Sequence, residues 1–393
     1  MKKTFFSSLT LVFTALLLAC TSGQKIETSN EIVSVFKTRY APDRRVALFD
    51  VTAKPKGKTI VLEGMSDQLD GLTSLVDSLK REGLTIVNEV ETLPAADLGD
   101  KIYGVANNSV VNIRSKPAHS AELATQALLG MPLKVLKKQG GWYLVQTPDE
   151  YISWIDSGGI QLMTEEELEN WKKGDKIIYL ANYGFSFESP KKNSAKVGDL
   201  ALGNVLHVES TQTNYYKVKY PDGRIAYVHR SEAQPFERWR ASLKMTQESL
   251  VASGKDLMGV PYLWGGTSTK GVDCSGFTKT IYLMNGEIIP RDASQQITAG
   301  ELVDADKNFD NLQPGDLLFF GTPAKDGKPR RVVHVGMWIG NGEFIHSSSR
   351  VEVNSMDPNA ENFSEFNYNR YLESRRYITN RTANVLEVSE MFN

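Results

Sequence analysis

A chain of 393 residues is long for one domain, so several are expected, and a hydrophobic content of 41% suffices for packed cores. Charged residues make up 23% and nearly cancel, to a net charge of −2, which gives no reason to expect nucleic acid or an anionic surface as partner. No long low-complexity tract interrupts the chain.

In chain order, residues 1–19 read as a secretory signal. Lys2 and Lys3 form a positive start, and the apolar run after them is too short for a comfortable membrane span. Leu17-Leu18-Ala19-Cys20 resembles a bacterial lipobox, which implies cleavage before Cys20 and lipid on its thiol. The expected product is exported and lipid-anchored in the cell envelope, on a periplasmic or outer-membrane face, with residues 20–30 as a polar tether. Residues 31–97 read as a small α/β unit. Strands over 45–51 and 59–63 flank a Lys-Pro-Lys-Gly turn, and 66–81 has helical spacing (Leu69, Leu72, Leu75, Val76, Leu79) that stops at Gly83. Residues 84–90 form a further strand, and no chemistry is visible in this unit.

Two stretches then resemble each other. Residues 98–162 and 176–238 each have an Asn/Ser-rich start, a strand led by glycine (Gly130, Gly203) and an aromatic strand (Trp142-Tyr143, Tyr215-Tyr216). Each closes on a turn and a last aromatic strand (Trp154, Tyr227). Short strands at regular spacing suggest small barrels. They resemble tandem bacterial SH3-like domains, the first through Val111-Asn112-Ile113-Arg114 and Pro117, the second more divergently. Between them Thr164-Glu165-Glu166-Glu167 opens a linker helix, 163–175, with a capping-box pattern.

From 239 to 380 the texture is α+β, followed by a tail over 381–393. A helix is expected over 246–258, then a loop with Pro261-Tyr262-Leu263-Trp264-Gly265-Gly266. Phe277, Ile281 and Met284 make a helix after Cys274, with Asn285-Gly286 as its stop. Strands over 317–320 and 332–339, a Gly340-Asn341-Gly342 turn and a returning strand over 343–347 complete the pattern. Cys274 therefore sits at a helix N-terminus, where free N–H groups and the helix dipole favour thiolate. With Cys20 lipidated, Cys274 has no disulfide partner, and a lone thiol in an oxidising compartment points to purposeful reactivity.

A cysteine nucleophile needs a base and a group to orient that base. His119, His207 and His229 fall in the barrel repeats; His334 and His346 fall on the two strands of one hairpin. Their numbers average to 340, so a loop centred on Gly340 would set them opposite each other on one face. The blocks Pro261-Tyr262-Leu263-Trp264-Gly265-Gly266, Asp273-Cys274-Ser275-Gly276, Val333-His334-Val335-Gly336 and Phe344-Ile345-His346-Ser347 resemble the signature of NlpC-type, papain-like cell-wall peptidases over residues 240–380. The resemblance implies Cys274 as nucleophile, His334 as base and His346 as orienting residue. It also implies the Tyr262 hydroxyl and backbone N–H groups at the Cys274 helix start as oxyanion stabilisers.

The closer resemblance is to a subgroup that joins SH3-like domains to this catalytic domain and recycles murein peptides. That subgroup takes peptides with a free N-terminal L-Ala and cuts the γ-linked bond between D-Glu and the diamino acid. It implies Glu122 and Tyr151, from the first barrel, as readers of the ammonium, with Trp264, Asp273, Ser275, Asp292 and Ser294 in the same pocket. Members often place Ser directly after the pocket Asp, whereas here Ala293 precedes Ser294. No metal or other cofactor is expected, since no H-E-x-x-H motif is present, and a monomer is expected. An endopeptidase acting on intact wall, a catalytically idle wall-binding protein and a lipase-like acyltransferase on the same fold are the alternatives.

Overall fold

The computed structural model describes residues 25–379, 382 and 384–392, and the chain divides into two compact units, Met1–Gly99 and Asp100–Asn393. The signal segment and Cys20 lie outside the described residues.

In the first unit a helix covers 25–40. The tether expected over 20–30 therefore ends earlier: Ile26, Val33, Phe36 and Tyr40 recur at helical spacing and pack on the core of this unit. Strand Phe49–Lys56 runs antiparallel to Thr59–Ser66, which runs parallel to Ile86–Thr92, and helix Leu69–Arg81 makes the crossover. The expected four-residue turn shrinks to Gly57 and Lys58. Pro55 instead continues an edge strand opposite Ile60, where its missing N–H costs no ladder bond.

The second unit begins with two seven-stranded sheets. Gly130 and Gly203 both have φ +86° and occupy the third position of equivalent turns, Leu128–Met131 and Ala201–Asn204, each closed by an N–H to carbonyl bond. A type II turn demands positive φ there, so the repeat is conserved in backbone geometry as well as in composition. The linker helix Glu165–Lys173 carries the full capping box on Thr164. Its Trp171 indole donates to the Gly130 carbonyl at 3.2 Å, tying helix to barrel.

The catalytic-looking region has a six-stranded antiparallel sheet, in the order Glu301–Asp304, Tyr371–Arg376, Leu317–Thr322, Arg331–Gly340, Glu343–Ser347, Val351–Ser355. Helix Cys274–Met284 packs Phe277 and Ile281 on Phe319, Val335, Met337 and Ile345. Two expected boundaries move. Position 238 falls inside helix Phe236–Ser242, whose Phe236 and Trp239 are buried together. The described part of 381–393 is no loose tail, because Leu386–Glu387 pairs with Glu287–Ile288 and Val388 is buried. Among the described residues, no helix is long and apolar enough to cross a membrane.

Candidate active site

Asp273 is the N-cap of the Cys274 helix and accepts from the Gly276 N–H at 2.7 Å. Its carboxylate also accepts from Arg291 Nη1 and Nη2 at 3.1 and 2.6 Å and from the Gly265 N–H at 2.9 Å. Arg291, 1% exposed, donates to Ser275 Oγ at 3.0 Å as well. Asp273 and Ser275 thus stand beside the thiol, but their polar atoms are committed to a buried network that locks the helix start.

The thiolate expected from helix position does not prevail. Burial, and after it the Asp273 charge, pushes the Cys274 thiol up to about 12, against the opposing pull of the Val335 N–H, the Arg291 charge and the Ser275 N–H. At rest, burial therefore favours the protonated thiol over the thiolate at Cys274. Tyr262 lies near enough to feel a charge on Cys274, and burial raises its phenol well above the ordinary range, so it remains an O–H donor.

Strands Arg331–Gly340 and Glu343–Ser347 form the expected hairpin, but with a shifted register. Met337 pairs with Ile345 and Trp338 with Phe344, with a bulge before Gly340. Extending that ladder sets His346 opposite Gly336, not His334. The two histidines share a face as diagonal neighbours, and their rings bridge the offset: His334 Nε2 lies 2.7 Å from His346 Nδ1. Glycine at 336 is required for this, since a Cβ there would meet the Phe344 ring at 2.7 Å and the His346 Cβ at 3.1 Å.

His346 Nε2 lies 2.8 Å from Asn354 Oδ1, which can only accept. A neutral His346 therefore carries its proton on Nε2 and accepts at Nδ1 from His334 Nε2–H. That leaves Nδ1 of His334 as the bare nitrogen of the relay. Burial, then the neighbouring His346 and Arg370, hold His334 well below the ordinary histidine range; burial also lowers His346.

The other expected residues fall in two pairs between the first barrel and the catalytic region. Trp264 Nε1 donates to Glu122 at 2.6 Å, and Tyr151 OH donates to Asp292 at 3.4 Å. Trp264 is 62% exposed and Glu122 is also exposed, so this pair forms a rim, whereas Tyr151 is buried. Ser294 is half-buried on the short helix Ala293–Gln296 that Asp292 caps. The domains are further joined by Gln126, whose Oε1 accepts from the Thr267 N–H at 2.9 Å and the Ser268 hydroxyl at 3.0 Å. At Gly265, φ is +79° and a Cβ would lie 2.2 Å from the Leu123 carbonyl oxygen, so the two backbones touch. Among the described residues, no cluster of three or more His, Cys, Asp or Glu side chains could hold a metal.

Sequence reasoning missed Arg291, Gln126 and Asn354. For Asn354 a signal existed: the alternation Val351-Glu352-Val353-Asn354 sets it on the histidine face, since His346 pairs with Glu352.

Comparison with known proteins agrees with this architecture. Residues 259–390 match the NlpC/P60 family, 113–160 the bacterial dipeptidyl-peptidase Sh3 domain and 187–233 the bacterial SH3 domain. A gamma-D-glutamyl-L-lysine dipeptidyl-peptidase of Bacillus cereus (strain ATCC 10987 / NRS 248) is 31% identical over 65% of this chain and 76% of the relative. Its namesake in Bacillus subtilis (strain 168) is 33% identical over 57% and 72%. The crystal structure of an NlpC/P60 family protein from Bacillus cereus ATCC 10987 superposes with a TM-score of 0.60 at 26% identity, covering 70% of this chain and 99% of that one. With the Cys274, His334 and His346 constellation in the matched region, the chain belongs to the NlpC/P60 family of cysteine peptidases and carries two bacterial SH3 domains ahead of the catalytic one.

Proposed function

We propose that the protein hydrolyses the γ-D-glutamyl–diamino acid bond of murein peptides that carry a free N-terminal L-Ala, releasing L-Ala-D-Glu. The observation that carries this reading is the pairing of first-barrel residues with catalytic-domain residues, Glu122 with Trp264 and Tyr151 with Asp292, whose chain neighbours Gly265 and Arg291 bind Asp273 next to Cys274. Carboxylates at that junction suit an ammonium, which cannot be desolvated without them. The relatives' names, which specify a γ-D-glutamyl-L-lysine bond and dipeptide release, support the same assignment.

Chemically, His334 Nδ1 takes the thiol proton as the Cys274 sulfur attacks the γ-carbonyl carbon. The resulting oxyanion accepts from the Tyr262 hydroxyl and the backbone N–H at the helix start. As the C–N bond breaks, His334 returns the proton to the departing amine. Water, deprotonated by the same nitrogen, then cleaves the thioester. His346, with Asn354 behind it, holds the tautomer that this cycle needs. Anchoring through a lipid on Cys20 would keep the enzyme at an envelope membrane, as a monomer meeting peptides released from the wall.

The exposed rim at Trp264 and Glu122 favours a second reading, an endopeptidase acting on intact wall. Mass spectrometry of products from L-Ala-γ-D-Glu-L-Lys and its N-acetyl form separates the two. Release of L-Ala-D-Glu from the free peptide, at a rate at least tenfold above the acetylated one, is expected from losing a charge-assisted contact of about 1.5–3 kcal/mol. Equal rates would put the endopeptidase first.

A further inference from the structure

Several arginines on and beside the strands of the catalytic sheet are neutralised. Arg330 and Arg375 pair with Glu373, and Arg376 pairs with Asp316. Arg370 is different. Among the described residues no Asp or Glu pairs with it. Of its five N–H donors, Nε and one on Nη2 go to Asn367 Oδ1, at 3.1 and 2.7 Å. Its guanidinium carbon sits 4.1 Å from the centroid of the Phe366 ring, which is 71% exposed, and 5.9 Å from that of Phe320. The Asn367 amide and two aromatic faces therefore hold a half-buried cation in place without quenching its charge.

Its position relates it to the chemistry. Phe320 pairs with Tyr371 on one side and with His334 on the other, and the Phe320 and His334 ring centroids are 5.7 Å apart. The Gly321 N–H donates to the Arg370 carbonyl at 2.7 Å and fixes the backbone there. The Tyr262 loop, which carries Trp264 against Glu122, is pinned at the other edge of the sheet, through the Tyr262 N–H to the Ser349 carbonyl and the Pro261–Arg350 bridge. His334 lies between these two ends, and a charge on Cys274 is felt at Arg370.

We propose that Arg370 is a substrate-binding residue that receives a carboxylate flanking the scissile bond, giving the site a cationic side opposite its acidic one. The inference rests on the reading above, in which the substrate offers two such groups: the α-carboxylate of D-Glu and a carboxylate of the departing diamino acid. A guanidinium with spare coplanar donors recognises either in the same bidentate way.

The test has two parts. Alkylation of Cys274 needs no peptide: iodoacetate and iodoacetamide differ by one negative charge. Replacing Arg370 by Gln should lower the iodoacetate-to-iodoacetamide rate ratio by about three- to tenfold, the size expected for one charge near a protein surface. Three forms of L-Ala-γ-D-Glu-L-Lys are then compared: native, with the D-Glu α-carboxylate as amide, and with the Lys carboxylate as amide. The form that loses Arg370's partner should be cut about ten- to a hundredfold more slowly by the wild type. In Arg370→Gln that penalty should vanish, and Arg370→Lys should restore only part of it. An unchanged alkylation ratio, or an amide penalty that survives in Arg370→Gln, would overturn the proposal. Failure of the wild type to cut any of the peptides would sink the substrate reading, while the alkylation ratio still decides whether Arg370 receives an anion beside the thiol.

Discussion

At Cys274 two forces act on one proton. The helix N-terminus favours thiolate by about 0.3–1 kcal/mol, while burial of the sulfur disfavours it by more, and the thiol stays protonated. In the proposed mechanism His334 must then be neutral to act, and its proton affinity is depressed by burial first and by His346 and Arg370 next. A base with a lowered value stays competent as pH falls through the ordinary histidine range, so the acid limb of kcat/KM should lie below 6.5. No thiol limb should appear before strongly alkaline pH; a limb near 6.5 or above would contradict the buried neutral pair. His334→Ala should lose at least about a thousandfold in kcat, as expected for a general base. Asn354→Ala should lose about tenfold and move the acid limb, whereas Asn354→Asp, which still accepts from His346 Nε2–H, should retain most of the activity. Cys274, His334 and His346 were legible because each sits in a contiguous block of distinctive residues. Arg291 and Asn354 were not, because their roles exist only after distant segments pair.

At the scale of elements, alternation and turn residues announced the hairpin, but its register depended on conformation. Gly340, Asn341 and Gly342 all have positive φ, at +96°, +54° and +78°, and a bulge adjoins them, so averaging residue numbers misplaces the partners by two. The union between barrel and catalytic helix was equally hidden. Lys279, in a stretch that reads as helix, makes a 2.5 Å ion pair with Asp149, with the side chains only 11% and 2% exposed. Burial lowers Lys279, and Asp149 opposes that. Asp149→Asn would leave a buried cation alone and should cost about 3–5 kcal/mol of unfolding free energy. Stability of that variant should rise with pH, because the folded state holds the proton less tightly than the unfolded state and the deficit disappears once both are deprotonated. Calorimetric melts at pH 6 and pH 9 check this; a deficit that is the same at both would mean Lys279 has found another partner.

For the whole molecule, the order of domains was readable from changes in texture. The residues that join them were not, since an interface has no period. On the lipid-anchor proposal, residency is a property of the entire chain, set at its first cysteine. Cys20→Ser should move the protein from the membrane to the soluble envelope fraction without altering turnover of soluble peptides, because multiple acyl chains are needed for stable anchoring. Sedimentation of the variant with membranes after a high-salt wash would argue for another anchor. The backbone contact between Gly265 and Leu123 has a consequence of its own. On the dipeptide-releasing reading, the distance from that seam to the Cys274 sulfur works as a caliper, and the jaws belong to different domains. A stem of three residues and a stem of five would surrender the same two, because the length removed is a dimension of the folded assembly and not a preference of any one side chain. Loosening the seam would change what the enzyme counts before it changes how fast it cuts.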